Sequence, residues 1–298
     1  MTGLVPGPVA PGAPASGTPA PGTVAFETPA LETPALDTLT LEELDGGIAV
    51  LRMNRPGRMN TQTVRMFAEY GLAAHALRDV PLRALILTGA GDRAFCAGFD
   101  LDEIDVITRM GAGEFLNFQE LASSGIAAIR HLPFPVIAAI HGPATGGGLA
   151  LALAADIRLA APTAKFSAAF VKVGLSMGEL GTSYNLSRLV GSGRAAEIGY
   201  TGRIVAAAEA AAIGLVNRVV PSEDLLAEAT AMARLIAANS PAGVRLSKRA
   251  IQRNQEISSY AAALELENRG QALLAQTEDM PEALAAFREQ REPRFTGR

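Results

Sequence analysis

The segment HGPATGGGLALALAAD, residues 141–156, sets three consecutive glycines at the mouth of an alanine- and leucine-rich helix, and no charged side chain follows until Asp156. Residues 136–140 just before it, VIAAI, are apolar at every position, and residues 157–160 just after it, IRLA, begin another short run. A strand apolar on both faces belongs inside a parallel sheet covered on both sides, so this stretch reads as strand, glycine turn, buried helix, strand. The first N–H groups of a helix have no internal partner and carry the positive end of its dipole. Glycine leaves them unobstructed. Two such groups converging on one oxygen would form an oxyanion hole. A second bare turn, FCAGFDL at 95–101, follows the apolar run at 82–88. Each glycine segment could supply one donor, or the glycines could serve only close helix–sheet packing; spacing alone does not choose.

Outward from this centre the pattern repeats. Residues 48–53 read as a strand closed by the turn NRPG, 62–78 as a helix, and 82–88 and 215–220 as further strands. The alternation of short apolar runs with helical stretches indicates an α/β architecture. After Pro221 the chain reads as helical to its end. Ser222 is the expected N-cap, with Glu223 and Asp224 in the first turn. Leu225, Ala229, Met232 and Ile236 fall on one helical face. Ser240-Pro241 opens a helix to about 253, and helices over 258–277 and 281–290 follow. Such a tail packs on another subunit or covers its own sheet, and periodicity does not decide between them. Residues 1–38, rich in Pro, Ala, Gly and Thr, read as a disordered tail, 39–238 as an α/β core and 239–298 as a helical oligomerisation region.

The chain of 298 residues has 49% hydrophobic and 19% charged residues, a globular composition. A net charge of −4 argues against a nucleic-acid partner. The single cysteine, Cys96, excludes an intramolecular disulfide and fits a reducing, cytoplasmic setting. The three histidines and one cysteine lack metal-ligand spacing, so no metal is expected. No apolar run reaches membrane-span length, so no membrane partner is expected. The absence of Lys and Arg before Arg52 fits neither a secretory nor a transit peptide.

Two other glycine chemistries fit poorly. Residues 89–94 read GAGDRA, with alanine where a dinucleotide fingerprint needs its last glycine, and 141–148 lack the G-K-[ST] of a phosphate loop. Residues 174–178, GLSMG, match a nucleophile elbow, yet every histidine precedes Ser176, and that fold needs one after it.

AFCAGFDL (94–101), PVIAAIHGPATGGGLALALAADIRLAAPTAKF (135–166) and TGRIVAAAEAAAIGLVNRVVP (201–221), in this order, resemble the enoyl-CoA hydratase/isomerase (crotonase) superfamily. The likeness runs from about residue 45 to the C-terminus. It implies a spiral of ββα turns with a C-terminal helical trimerisation region, assembled as a homotrimer or a dimer of trimers. It also implies an acyl-CoA thioester substrate whose carbonyl oxygen is stabilised by the backbone N–H groups of Phe99 and Gly147, each donor worth roughly 3 kcal/mol of barrier. Coenzyme A then enters as part of the substrate, and no separate cofactor is expected.

The sequence departs from the family pattern at its acids. The two glutamates of typical hydratases fall at Ala150 and Phe170. Glu179 occupies the place where some acyl-CoA relatives, such as 4-chlorobenzoyl-CoA dehalogenase, carry a carboxylate, and it is the expected acid/base or nucleophile. By the same resemblance Arg58, Ala97 and Phe287 would contact coenzyme A, Phe287 from a neighbouring subunit. A lysine that some relatives add beside that aromatic reads here as Gln290, and Lys248 is a spare cation. His141 reads as part of a turn, Cys96 as a packed residue, Asp100 as structural, and Asp102, Glu103 and Asp105 as mostly solvated. Loss of both usual acids weakens simple hydration, leaves isomerisation, thioester hydrolysis or another lyase reaction open, and admits a catalytically silent CoA-thioester binder or assembly subunit.

Overall fold

The computed structural model describes residues 35–298. The tail expected over 1–38 thus lies outside the described residues as far as position 34. In chain order the first elements are β1 (Leu39–Leu44), β2 (Ile48–Met53), α1 (Val64–Arg78), β3 (Ala84–Gly89), α2 (Ile104–Arg109) and α3 (Ala112–Arg130). The middle of the chain gives β4 (Val136–Ile140), β5 (Pro143–Thr145), α4 (Gly147–Ala154), β6 (Ile157–Ala160) and β7 (Lys165–Ser167). There follow α5 (Thr182–Val190), α6 (Ser192–Thr201), β8 (Val205–Ala206), α7 (Ala207–Ala212) and β9 (Arg218–Val219). The C-terminal helices are α8 (Leu225–Ala237), α9 (Pro241–Asn254), α10 (Tyr260–Leu274) and α11 (Asp279–Glu289).

Two sheets result. The larger runs β1-β2-β3-β4-β6-β9, parallel except for the β1–β2 hairpin; the smaller runs β5-β7-β8. In β4–β5–α4, and again in β6–β7–α5, the first strand joins the large sheet and the second the small one. The turn after β3 joins the same stack through bridges from Cys96 to Ala144 and from Phe99 to Gln62. This is the spiral of ββα turns. Alternate residues explain its two-sided core. Ala49, Leu51, Met53, Leu85, Leu87, Val136 and Ala138 face one apolar cluster, shared with α1, α3 and α4. Ile48, Val50, Ala84, Ile86, Ile137 and Ala139 face the other, which Leu225, Ala229 and Ala233 of α8 cover. All eight residues of α4 are buried, which accounts for a helix that is apolar all round.

Two details correct the sequence reading. The strand expected over 215–220 is reduced to Arg218–Val219. The N–H groups of Leu215 and Val216 close the end of α7 on the Ala210 carbonyl instead of pairing with the sheet. Ser222 does not cap α8: it opens a single 3-10 turn, Ser222–Asp224, without a side-chain cap, and the α-helix starts at Leu225. Ser240 does cap α9, accepting from the Gly243 N–H at 3.2 Å. The helical tail divides its contacts. Lys248 on α9 reaches into the chain's own core, donating to the Phe134 carbonyl at 2.9 Å and pairing with Asp156 at 2.7 Å. By contrast α10 buries no residue.

The chain ahead of β1 is pinned by a buried acid. Glu69 on α1 is fully buried and accepts from the N–H groups of Asp37 and Thr38, the Thr38 hydroxyl and the Arg65 guanidinium, at 2.6–3.0 Å. Burial alone would raise its pKa, but these bonds override that and hold the carboxyl below the ordinary glutamate value. Its charge therefore stabilises the fold above about pH 4.3, and the contribution is lost as pH falls through the depressed folded value. Glu69→Gln removes the charge and turns an N–H donor toward other donors. Denaturant unfolding at pH 7 should show a loss of about 2 kcal/mol, shrinking at pH 3. An equal loss at both pH values would contradict a charged Glu69.

Candidate active site

The glycine turn at the start of α4 is built by close backbone approach. A methyl group on Gly148 would collide with the Cys96 carbonyl, and one on Gly147 with the Gln62 side-chain oxygen. A methyl on Gly98 would lie 2.9 Å from the Thr145 carbonyl and 4.0 Å from the Gly147 nitrogen, so the two glycine turns touch. Gly98 has φ +101° and Gly146 φ +52°, backbone that side chains rarely adopt. The Gln62–Phe99 bridge fixes the direction of the next amide. Gln62 N–H donates to the Gly98 carbonyl at 2.7 Å and Asp100 N–H to the Gln62 carbonyl at 2.8 Å. The Phe99 N–H between them turns the other way and has no hydrogen-bond acceptor among the described residues. Gly147 is the first residue of α4, so its N–H has no intrahelical acceptor. Two open amides in touching turns, one at the positive end of a helix, can accept a negatively charged oxygen.

The surroundings are apolar. Ala150 is fully buried, and the Phe170 ring would lie 3.8 Å from a methyl on Gly146. Phe99 stacks on Phe67 (centroids 6.3 Å) and meets Phe118 edge-on (5.6 Å). One carboxylate borders this apolar wall. Glu179 is half-buried and accepts from the Gln119 side-chain amide at 3.0 Å. Its neighbour Leu180, at φ +52°, brings a methyl carbon within 3.4 Å of where a Gly147 side chain would start. Burial raises the Glu179 pKa above the ordinary value, and the Gln119 bond opposes that rise.

Beside the first turn, Asp100 is buried and binds Arg55 (2.8 Å), Arg58 (2.9 Å) and the Thr61 hydroxyl (2.9 Å). Burial alone would raise its pKa; the two guanidinium groups and its other hydrogen bonds hold it far below the usual carboxylate range. Arg58 also pairs with Asp102 and keeps about half of its side chain exposed. Ala97 lies in the same turn, its N–H bonded to the Met59 carbonyl at 3.1 Å. Glu103, expected to be solvated, caps α1 by accepting from the Val64 N–H at 3.0 Å. Phe287 stands 84% exposed on α11, remote in sequence from every group above. His141 sits at the β4–β5 turn, where burial lowers its pKa. Burial pushes the Cys96 thiol up to about 12. A cavity of about 720 Å³ lies elsewhere, between β6 and α9, lined by Asp156, Arg158 and Lys248 among others.

Two site residues went unread in the sequence. Gln119, on α3, donates to Glu179. Gln62 is fully buried, donating to the Gly147 carbonyl at 3.2 Å and the Tyr70 hydroxyl at 3.4 Å. No motif or spacing marks either, because Gln62 meets Gly147, and Gln119 meets Glu179, across 60 or more residues of chain.

Residues 43–298 match the family model described as enoyl-CoA hydratase/isomerase. The chain is 43% identical over 257 residues to the protein called probable enoyl-CoA hydratase EchA12 of Mycobacterium tuberculosis strain H37Rv, covering 84% of this chain and 89% of that one. It is 35% identical to the 1,2-epoxyphenylacetyl-CoA isomerase of Escherichia coli K12, covering 87% of this chain and 98% of that one. The crystal structure of an enoyl-CoA hydratase from Bacillus anthracis superposes with a TM-score of 0.83 at 34% identity, covering 88% of this chain and all of that one.

Proposed function

Because the chain belongs to the enoyl-CoA hydratase/isomerase family, we propose that it binds an acyl-CoA thioester and stabilises negative charge on the thioester oxygen with the N–H groups of Phe99 and Gly147. The observation that carries this reading is the contact of the two glycine turns, which leaves both amides open side by side. Each donor contributes roughly 3 kcal/mol where charge develops at the oxygen. Glu179 then removes or returns a proton, or attacks, at the acyl group. Its half-burial and upward-shifted pKa support that role, since neither Ala150 nor Phe170 can carry a proton. The chemistry is therefore isomerisation, thioester hydrolysis or another lyase reaction in preference to simple hydration. Arg58 and Ala97 border the coenzyme A entrance beside the donor turn. Coenzyme A is part of the substrate, and the reaction uses no further cofactor.

The C-terminal helices support assembly as a homotrimer or a dimer of trimers. Leu235, Ile251, Tyr260, Leu273 and Phe287 are each more than 60% exposed along α8–α11 in the single chain. Large apolar side chains left exposed on successive helices suit a surface that another subunit covers. In the assembly Phe287 would reach the coenzyme A of a neighbouring subunit. No helix among the described residues is long and apolar enough to cross a membrane, which is compatible with the proposed cytoplasmic location.

The absence of side-chain acids at both 150 and 170 also favours a second reading, a CoA-thioester binder without turnover. A panel of saturated, 2-enoyl- and 3-enoyl-CoA thioesters separates the two: product formation supports the enzyme, and binding with no product supports the silent subunit. Glu179→Gln should lower kcat at least about 100-fold while thioester affinity changes little. Unchanged turnover would remove Glu179 from the mechanism. Infrared spectra of a bound thioester carrying a 13C carbonyl test the donors directly. The stretch should move to lower wavenumber than in water, and an unshifted band would reject the amide pair. Sedimentation equilibrium should give three or six chains per particle, with Phe287→Ala weakening CoA-thioester affinity; a monomer would refute the assembly.

A further inference from the structure

One helix reaches both halves of the proposed site. Phe115, Phe118 and Gln119 stand at i, i+3 and i+4 of α3, on a single face. Phe118 packs edge-on against Phe99, the residue of the first donor turn, and Phe115 backs Phe118 with ring centroids 6.2 Å apart. One position further along, Gln119 donates to Glu179. The helix itself is held by the core: Ala122, Gly125, Ile126 and Ile129 are buried, and Gly125 lets it come so close to α1 that a methyl there would strike the Phe67 carbonyl. The carboxylate sits instead on an irregular turn between Gly174 and α5 that contains left-handed backbone at Leu180 and Gly181. Without a tether, its position relative to the donor turn would depend on that turn alone.

Resting on the reading of Glu179 given above, we propose that Gln119 is a positioning residue, which ties the Glu179 carboxylate to the helix that also backs Phe99. The amide occupies one carboxylate oxygen and leaves the other for the acyl group. An amide N–H donated to a carboxylate also favours its charged form, so the tether restrains the upward shift that burial imposes. The charged groups on the surrounding elements are Glu114, Glu120 and, at its far end, Arg130 on α3, Lys172 in the 3-10 turn Ala169–Val173 and Arg188 on α5; none pairs with Glu179 among the described residues. Gln119 is thus the polar group through which the fold acts on this acid.

The test compares Gln119→Met, which keeps length and lacks the donor, with Glu179→Gln and the double variant in the full-length protein. The Glu179 carboxyl is followed by 13C NMR titration of protein labelled at glutamate side chains, its signal identified by disappearance in Glu179→Gln. In Gln119→Met its midpoint should rise by about one pH unit, the order expected for loss of a hydrogen bond to a charged group. An unchanged midpoint overturns the proposal whether or not a substrate is known. In kinetics with the thioester that the panel identifies, Gln119→Met should lower kcat about tenfold, leave KM within about threefold and move the acidic limb of the pH profile upward. The double variant should lose no more than Glu179→Gln alone, as expected of two residues acting as a unit. Independent, multiplying losses overturn the tether. If Glu179→Gln itself leaves turnover intact, the catalytic role assigned to Glu179 fails, and the titration midpoint alone then decides the tether.

Discussion

Main-chain contact between the start of α4 and the 94–99 turn is the constraint on which the rest of this structure depends. At Gly148 the Cys96 carbonyl stands where any side chain would begin, and at Gly98 the Thr145 carbonyl does. Only glycine permits two backbones to meet so closely, and the approach has two consequences. It seats an entirely apolar helix against β5, α3 and α5, where it completes the core. It also sets the open amides of two segments, some fifty residues apart in the chain, side by side. The atoms that pack the helix are thus the same ones proposed to hold the thioester oxygen. The evenly balanced alternatives of tight packing and oxyanion binding are not exclusive for such a geometry.

Polar groups near this contact are few, and most are held by specific partners. Asp100 is tied to two arginines and a threonine directly after the first donor position, which fixes the turn from its solvent side. Gln62 donates to the Gly147 carbonyl in the second turn and to the Tyr70 hydroxyl. Its own oxygen is buried without a partner among the described residues, a cost accepted at a place where three backbone segments converge. In a low-dielectric setting of aromatic and aliphatic groups, one half-buried carboxylate with one amide donor is electrostatically prominent. Glu179 has that character, whereas positions 150 and 170 are apolar and the Asp100 carboxylate beside the first turn is already paired with Arg55 and Arg58.

Much of the architecture was legible from periodicity. Runs apolar at every position, such as 136–140, announced strands covered on both faces, and the alternation of their residues between two apolar clusters follows from the pleat. The face Leu225, Ala229, Met232 and Ile236 packs on the sheet as its spacing implies. Reading failed where a local signal competed with a tertiary one. Ser222 has the chemistry of a cap, but Pro221 leads into a 3-10 turn first. Leu215 and Val216 have strand-like side chains, but their amides terminate α7.

The class of fold, the family and the residues available for chemistry can be read in linear order, because periodicity, glycine placement and ordered motifs are properties of the chain read in line. The sequence by itself also determined what is missing, since no arrangement in space gives Ala150 or Phe170 a carboxyl group. The tertiary structure alone decided which of the remaining polar groups meet. Nothing in linear order joins Gln119 to Glu179, Glu69 to Thr38, or Gln62 to Gly147, because hydrogen bonds are set by distances of about 3 Å that only the packed chain creates.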